Sequence, residues 1–553
     1  MLKTRLLLHR AYQGVRCLSF KAQNEPIYQY GKDSPERKQT EEALNRLGST
    51  VLDVPCVIGG EQIFTDDVRA EVSPFDHSHK LASVHYGNKE LINKAINAAL
   101  SVRTDWEARP LEDRVQIFLK AADLITNKYR AELVAAVMLG QAKTAFQAEL
   151  DVVCELADFY RFHGQYALDL VNIQPIGTDD STNTMLYRGL EGFIASISPF
   201  NFTAIGGNLA GTPAMMGNTV VWKPSPASCF SSYKVFEILR EAGVPDGVIN
   251  FIPAPGTVFG DTVTASHDLA AVAFVGSTQT FQRLWKQVGQ NLDTYKTFPR
   301  LIGECGGKNY HLIHPSADIE TVINCTIRSA FEFGGQKCSA CSRLYVPESL
   351  WPKIKERMIE VHKEIKVGSP EDYSSFFSAV IDGAAFEKIK GYLDYARTSP
   401  SITTLAGGNC DKSKGYFIEP TIYETNDPTE KLMREEIFGP VVTAYVYPDD
   451  MFSETVEIIN KTSPYGLTGA VFARDSDVTK EVSSLLKDSA GNFYINDKST
   501  GSVVGQQPFG GGRLSGTNDK AGGALYVQRW VSPQSVKQTH KPITDWRYPS
   551  MEI

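Results

Sequence analysis

The sequence predicts an α/β protein with two lobes. The first is built on a doubly wound sheet of parallel strands between helices, and the second is another α/β lobe. From residue 192 onward, short apolar runs alternate with amphipathic stretches, which is typical of repeated strand–helix–strand units. A purely helical pattern precedes them, and 553 residues leave room for two or three domains. We therefore expect two lobes with a cleft between them.

The first lobe begins with a helical layer over residues 90–171, where apolar side chains recur at i, i+3, i+4 and i+7 from Val115. Four apolar runs then predict buried parallel strands at residues 193–197, 219–222, 248–252 and 271–275. Helices are expected to begin near residues 204, 227, 258 and 280. Sheets of this kind bind ligands at the carboxyl ends of their strands.

The second lobe repeats the alternation, with a strand at 309–313, a helix at 318–331 and a strand at 344–346, and it runs on towards Asn496. Residues 182–190 and 526–539 predict strands that belong to neither lobe and could pair across a subunit interface. We divide the chain into a first lobe (40–175 and 192–303), a second lobe (304–515), and a flap with a tail (176–191 and 516–553).

Composition excludes several classes of function. The formal net charge of -8 disfavours nucleic-acid binding, which needs clustered Lys and Arg. No stretch approaches the roughly 20 apolar residues of a membrane span. Nine irregularly spaced cysteines indicate reduced thiols rather than a disulfide framework. An enzyme acting on a small molecule fits best.

The N-terminal residues 1–24 contain five basic and no acidic residues, with leucines between the charges. This composition is typical of a mitochondrial transit peptide, and we place the mature start near Ser19. The alternative is an ordinary disordered basic tail. We expect the mature protein in the mitochondrial matrix.

Cys338 follows a Gly-Gly bend that can present its thiol to a cleft, and the neighbouring Lys337 would favour the thiolate. An isolated cysteine is more often a small buried side chain. Cys338 and Cys341 also have the C-x-x-C spacing of a redox dithiol or half a zinc site. Because no second pair or paired histidines complete a zinc set, we expect no metal.

Six motifs together are similar to those of one large family. They are PFNF at 199–202, WKPS at 222–225, FVGST at 274–278, ECGGKN at 304–309, GQKC at 335–338 and EIFGP at 436–440. In this order they resemble the motif set of the aldehyde dehydrogenase superfamily, over residues 57 to the C-terminus. The resemblance implies an NAD-binding first lobe, a catalytic second lobe, a small β oligomerisation flap, and a homodimer or higher homo-oligomer.

The resemblance also implies catalytic roles. Cys338 would attack an aldehyde carbon, and the Asn201 side-chain amide with the Cys338 backbone N–H would bind the resulting oxyanion. Glu304 would be the general base that activates water for hydrolysis. Cys305 stands where many relatives have Leu, which bears on the pKa of Glu304.

The cofactor implied by the resemblance is NAD, although no G-x-G-x-x-G fingerprint follows the strands. Pro226 stands where many NAD-specific relatives have glutamate, so the preference for NAD over NADP rests on resemblance alone. The implied cofactor residues are Ser198, Lys223, Gly276, Ser277, Thr278, Gln279, Thr280, Glu436 and Phe438.

Residues 496–511 and 515–520 closely resemble the branch of this superfamily that oxidises glutamate γ-semialdehyde, the open form of a cyclic imine. In that branch the N–H groups of Gly501 and Ser502, with Ser339, bind the α-carboxylate, and Phe202 and Phe509 would pack on the aliphatic chain. Glu155 is a candidate partner for the substrate ammonium. The resemblance thus implies NAD-dependent formation of glutamate, the second step of proline catabolism.

Three alternatives remain open at this stage. A succinate or methylmalonate semialdehyde dehydrogenase would favour a basic carboxylate anchor over the neutral Gly501–Ser502 pair. A catalytically silent relative would have no reason to keep Cys338, Glu304 and Asn201 together. A reductive enzyme acting on an acyl phosphate needs the cysteine but no hydrolytic base, so Glu304 counts against it.

Overall fold

The computed structural model describes residues 20–551. Most of the predicted targeting segment, residues 1–19, lies outside the described residues. Residues 20–24, which the sequence analysis placed at the end of that segment, belong to an extended stretch. This stretch packs against the first lobe: Ala22 is buried, and its backbone N–H donates to Gln165 Oε1 at 2.7 Å.

The first lobe is built on a sheet of mainly parallel strands. Within residues 20–551 its strand order is Arg300–Glu304, Leu269–Val275, Phe193–Ile197, Thr219–Lys223, Ile249–Phe251, Cys56–Ile58 and Glu61–Ile63. The first five are parallel, and the last two form an antiparallel edge. The four predicted strands are confirmed. Their side chains are almost all buried because helices cover both faces.

The second lobe has a sheet of the same kind. Its order is Ile402–Ala406, Thr421–Thr425, Val441–Tyr447, Cys341–Pro347, Asn309–Ile313, Thr468–Phe472 and Asn492–Ile495. All neighbours are parallel except the first pair. The predicted α/β class is therefore confirmed. Smaller sheets and ribbons contain Leu52–Val54, Val68–Ser73, Asp76–His85, Cys410–Asp411, Phe417–Ile418, Tyr465–Gly466 and Gly512–Arg513.

Helices cover both sheets, and polar caps start several of them. Ser277 Oγ accepts from Thr280 N at 3.3 Å, and Asp318 Oδ1 accepts from Thr321 N at 2.9 Å.

The helices of the first lobe are Pro35–Gly48, Lys89–Glu107, Leu111–Asp123, Arg130–Gln141, Ala145–Ala148, Leu156–Leu170, Thr203–Met215, Cys229–Ala242, Gly256–Thr264 and Thr278–Gln290. The second contains Ile319–Phe331, Trp351–Glu364, Gly383–Thr398, Lys431–Arg434, Phe452–Thr462 and Ser476–Leu485. π-Helical turns at Leu124–Lys128 and Glu149–Glu155 belong to the helical layer of the first lobe.

The two strands predicted outside the lobes pair with each other. Ser181–Arg188 and Ser532–Thr539 form an antiparallel ribbon within one chain. The prediction of a strand from residue 526 was wrong at its start, because Ala524–Gln528 is a helix. Tyr526, Val527 and Trp530 have helical spacing and are buried in the first lobe's core, which a strand could not achieve. The division into domains and the role of this ribbon stay predictions.

The two lobes present opposite ends of their strands to the cleft between them. In the first lobe the cleft follows the carboxyl ends, where Lys223 and Glu304 lie. In the second lobe Cys338 and Glu436 instead precede their strands, so the cleft borders the amino ends of those strands. Along residues 20–551, no helix combines the length and the apolar character needed to traverse a bilayer.

Candidate active site

Cys338 lies on a tight turn between the helix Ile319–Phe331 and the strand Cys341–Pro347. Residues 333–335 have φ angles of 54°, 60° and 67°, a left-handed conformation that favours glycine. A Cβ atom on Gly335 would lie 2.1 Å from a carbonyl oxygen of the neighbouring loop, so no other residue fits. The turn leaves Cys338 half-buried where two clefts meet.

Asn309 fixes the backbone around the thiol. Its Nδ2 donates to the carbonyl oxygens of Cys338 at 2.6 Å and Ala340 at 2.9 Å. Its Oδ1 accepts from Thr468 N at 3.0 Å, which ties the turn to the strand Thr468–Phe472, next to the edge of the second sheet. The sequence placed Asn309 in a motif but gave no sign of this structural role.

Asn201 contacts the same turn from the first lobe. Its buried Nδ2 donates to the carbonyl oxygen of Gln336 at 3.2 Å, two residues before the nucleophile. An amide nitrogen carries two N–H groups, so the second is available to an oxygen at Cys338. This placement supports the predicted oxyanion role.

A buried ion pair fixes the segment that carries Asn201. Lys143 Nζ lies 2.8 Å from Asp151, and both side chains are fully buried. The Asp151 carboxylate also accepts from the backbone N–H groups of Thr203 at 3.1 Å and Ala204 at 2.8 Å. Lys143 Nζ lies 3.8 Å from the ring centroid of Phe202. The sequence analysis missed this pair, since nothing local marks two residues that meet only in the fold.

The surroundings of Cys338 disfavour its thiolate form. Burial raises its pKa, and the negative charges of Glu304, Glu436 and Glu155 raise it further. The expectation that Lys337 favours the thiolate was wrong, because its Nζ pairs with the buried carboxylate of Glu332 at 2.9 Å. The thiol proton would therefore have to leave for the sulfur to act as the predicted nucleophile.

Glu304 ends the edge strand Arg300–Glu304 and lines a small cavity of about 40 Å³ with Asp519 and Phe509. Burial raises the pKa of its carboxyl to about 8, although the charge of Lys520 lowers it. A carboxylate with this pKa can accept a proton near neutral pH. Its negative charge raises the pKa of the Cys338 thiol, so the two groups lie near each other.

One cleft joins Cys338 to all the predicted substrate residues. It encloses about 240 Å³. Its lining includes the predicted Phe202, Ser339, Gly501, Ser502 and Phe509, and also Asn24, Glu25, Glu155, Asp158 and Thr500, of which only Glu155 had been considered. Ser339 Oγ and Thr500 Oγ1 share a hydrogen bond of 2.7 Å.

The N–H groups of Gly501 and Ser502 are free to bind an anion. Within residues 20–551 neither backbone N–H donates a hydrogen bond. Gly501 has a φ of 82°, which permits the tight backbone path at this point. Lys337 is the one cation lining this cleft among the described residues, and Glu332 already pairs with it. A carboxylate here would therefore be held by neutral donors.

The second cleft, of about 420 Å³, lies on the other side of Cys338. The predicted cofactor residues that line it are Ser198, Lys223, Gly276, Ser277, Thr280, Glu436 and Phe438. Thr278 and Gln279 do not line it: Thr278 Oγ1 donates to Leu514 O at 3.2 Å, and Gln279 is exposed. Their contact with a cofactor stays a prediction.

The residues present fit a dinucleotide. The helix Thr278–Gln290 begins at this cleft, and its first N–H groups favour a pyrophosphate. The Glu436 carboxylate accepts a hydrogen bond from Gly307 N at 2.8 Å. A Cβ atom on Gly306 would lie 2.3 Å from the same carboxylate, so Glu436 can occupy this position only because residue 306 is glycine. Burial lowers the pKa of Lys223 to about 8.

Comparisons with known proteins agree with this geometry. The model of the aldehyde dehydrogenase family matches residues 65–536. A zebrafish (Danio rerio) protein named delta-1-pyrroline-5-carboxylate dehydrogenase, mitochondrial, is 57% identical and covers 100% of both chains. The human (Homo sapiens) protein of the same name is 57% identical over 99% of this chain and 98% of its own.

Solved structures are similar as well. The delta-pyrroline-5-carboxylate dehydrogenase of Mycobacterium tuberculosis, bound with NAD, has 40% sequence identity and a TM-score of 0.94, covering 98% of this chain and 100% of that one. A 1-pyrroline-5-carboxylate dehydrogenase from Thermus with bound NAD has 30% identity and a TM-score of 0.88, covering 94% and 100%.

Proposed function

Because the chain belongs to the aldehyde dehydrogenase family, we propose that it oxidises L-glutamate γ-semialdehyde to L-glutamate with NAD, the second step of proline catabolism. One observation carries the proposal: a single cleft joins the Cys338 thiol to the free N–H groups of Gly501 and Ser502. An aldehyde at one end and a carboxylate at the other would fill it.

The first step is attack of the Cys338 sulfur on the aldehyde carbon, which forms a thiohemiacetal. Because the pKa of the thiol is raised, its proton must leave as the bond forms. Glu304 is the base whose pKa, about 8, suits that transfer. The Asn201 amide and the Cys338 N–H would stabilise the oxyanion.

NAD, when bound, supplies the acceptor for the hydride that leaves the former aldehyde carbon. Glu436 would hold the hydroxyls of the ribose nearest the nucleophile, and Phe438 would border the reacting ring. Ser198 and Lys223 would contact the adenosine half, while Gly276 and Ser277 would hold the pyrophosphate.

Hydrolysis completes the reaction. The acyl group remains on Cys338 as a thioester, and Glu304 would take a proton from the attacking water. A reductive enzyme acting on an acyl phosphate does not hydrolyse a thioester and needs no such base. The presence of Glu304 therefore favours the oxidative reaction. The release of glutamate regenerates the thiol.

The charges in the substrate cleft favour an amino-acid semialdehyde. Glu155 lines the cleft, and within residues 20–551 its carboxylate has no hydrogen-bond partner. Burial raises the pKa of the Glu155 carboxyl to about 8. A substrate ammonium beside this carboxyl would favour its ionised form and pair with it. Succinate and methylmalonate semialdehydes carry no ammonium. Among the described residues that line the cleft, no unpaired cation is present to bind their carboxylates in place of the neutral anchor.

The proposal extends to location and assembly. The zebrafish, human and Dictyostelium discoideum relatives are named mitochondrial, which supports a site in the mitochondrial matrix. The ribbon of Ser181–Arg188 and Ser532–Thr539 would serve as an oligomerisation flap in a homodimer or larger homo-oligomer. The first lobe would bind NAD and the second would carry the nucleophile.

The test is a substrate panel with the purified mature protein. Formation of NADH is followed by absorbance with glutamate, succinate and methylmalonate semialdehydes, each with NAD and with NADP. We expect the highest kcat/KM with glutamate semialdehyde and NAD. A higher kcat/KM for succinate semialdehyde would refute the proposed substrate.

A further inference from the structure

Residues 20–30, which we name the N-terminal strap, cross the helical layer of the first lobe and reach the substrate cleft. The Glu25 carboxylate pairs with Arg130 and with Arg161, each at 2.7 Å. The Arg130 guanidinium lies 3.5 Å from the ring centroid of Tyr28. The side chains of Glu25 and Arg130 are only 11% and 9% exposed, so the strap is firmly held.

Asn24 joins the strap to the loop that carries Gly501 and Ser502. Its Nδ2 donates to Asp158 Oδ2 and to the carbonyl oxygen of Val504, both at 2.8 Å. Its Oδ1 accepts from Gln506 Nε2 at 2.9 Å. One amide thus uses both its donors and its acceptor to connect a helix of the first lobe with a loop of the second.

The loop of residues 499–507, here the anchor loop, is held at both ends. At one end Thr500 bonds Ser339, beside the nucleophile, at 2.7 Å. At the other end a turn closes, with Gln507 N donating to Val503 O at 2.9 Å, and Asn24 ties this turn to the first lobe. Gly501 and Ser502 lie between the two ends.

We propose that Asn24 is a positioning residue for the substrate carboxylate. It holds the distal end of the anchor loop so that the N–H groups of Gly501 and Ser502 converge on one anion. The inference rests on the proposed function, because it concerns the part of that substrate which a simple aldehyde lacks. It also implies that removal of the targeting segment must stop before Asn24.

The chemistry at this position requires an amide. An alanine removes three hydrogen bonds and leaves the Asp158 carboxylate with fewer donors. An aspartate would place a second carboxylate against Asp158. Because the N–H groups of Gly501 and Ser502 must point at one anion within a few tenths of an ångström, release of the loop weakens carboxylate binding.

The test compares Asn24→Ala with Gln29→Ala, a matched control on the exposed outer side of the strap. KM and kcat are measured with glutamate semialdehyde and with pentanal, which has the same chain length but no carboxylate. For Asn24→Ala we expect KM for the semialdehyde to rise roughly tenfold, with kcat and the values for pentanal within about twofold of wild type. Gln29→Ala should match wild type throughout.

Gln506→Ala removes the hydrogen bond from Gln506 to Asn24 by changing the exposed loop residue instead. It gives a second readout should Asn24→Ala fold poorly. It should raise KM for the semialdehyde in the same direction, and the double variant should show less than the product of the two effects. Wild-type KM in these variants, or equal losses on both substrates, would overturn the inference while leaving the proposed function intact. A wild-type enzyme inactive on the semialdehyde would refute the proposed function instead, and the inference with it.

Discussion

Replacing Glu304 with glutamine separates the two halves of the proposed reaction. Glutamine keeps the size of the side chain but cannot accept a proton from water. Without Glu304 the Cys338 thiol must lose its proton to water, so attack should be slower than in the wild type. The hydride can still leave, and one NADH should therefore form for each active site. The thioester should then persist, and steady turnover should stop.

The structure sets the pH dependence of the wild-type step. The pKa of Glu304 is raised by burial to about 8, from an ordinary value of 4.5, so the basic form is lost as the pH falls through 8. At pH 7 about one molecule in ten would carry the charge, and at pH 9 about nine in ten. Where hydrolysis limits turnover, kcat should fall about tenfold for each pH unit below 8 and level off above it.

Rapid-mixing absorbance of NADH measures both effects, with the burst giving acyl-enzyme formation and the later slope giving hydrolysis. Lys520→Met is an informative partner variant: the charge of Lys520 lowers the pKa of Glu304, so its loss should move the pH profile to higher pH. Steady turnover by Glu304→Gln would refute the reasoning, as would a hydrolysis rate that is constant between about pH 6 and pH 8.

Cys338→Ala should abolish NADH formation while NAD still binds, as measured by titration calorimetry; any residual turnover above background would remove the thiol from its role. Lys143→Met should leave the buried charge of Asp151 unpaired and cost about 3 to 5 kcal/mol of stability, measured by chemical unfolding, whereas the exposed Lys128→Met should leave the free energy of unfolding close to the wild-type value. Ser339→Ala should raise KM for the semialdehyde roughly tenfold with kcat little changed; an unchanged KM would exclude its contact with the carboxylate.

The sequence predicted the frame of this molecule well because that frame rests on local patterns. Buried parallel strands are continuous apolar runs, and residues 193–197 and 309–313 were placed at their observed bounds. The helix predicted at 318–331 is observed as Ile319–Phe331, with Asp318 as its N-cap. The strand predicted from Tyr526 failed because apolar residues at helical spacing were taken for a strand run.

The sequence also named the residues that surround the nucleophile, since Asn201, Glu304, Ser339, Gly501 and Ser502 all fall in recognisable motifs. What it could not provide was their electrostatics. Lys337 sits beside Cys338 in the chain, yet its charge is taken up by Glu332, and the thiol instead faces acidic groups. Adjacent positions in sequence do not determine which charges meet, because side-chain direction is set by the turn.

The amino-acid sequence by itself determined the fold class and the family and predicted the nucleophile, because each depends on short-range patterns or on motifs in fixed order. Only the tertiary structure decided that Lys143 meets Asp151 and that Asn24 reaches a loop some 480 residues away. Those contacts depend on how two lobes and an extended N-terminal segment pack together. No pattern along a chain records a hydrogen bond whose partners are neighbours only in space.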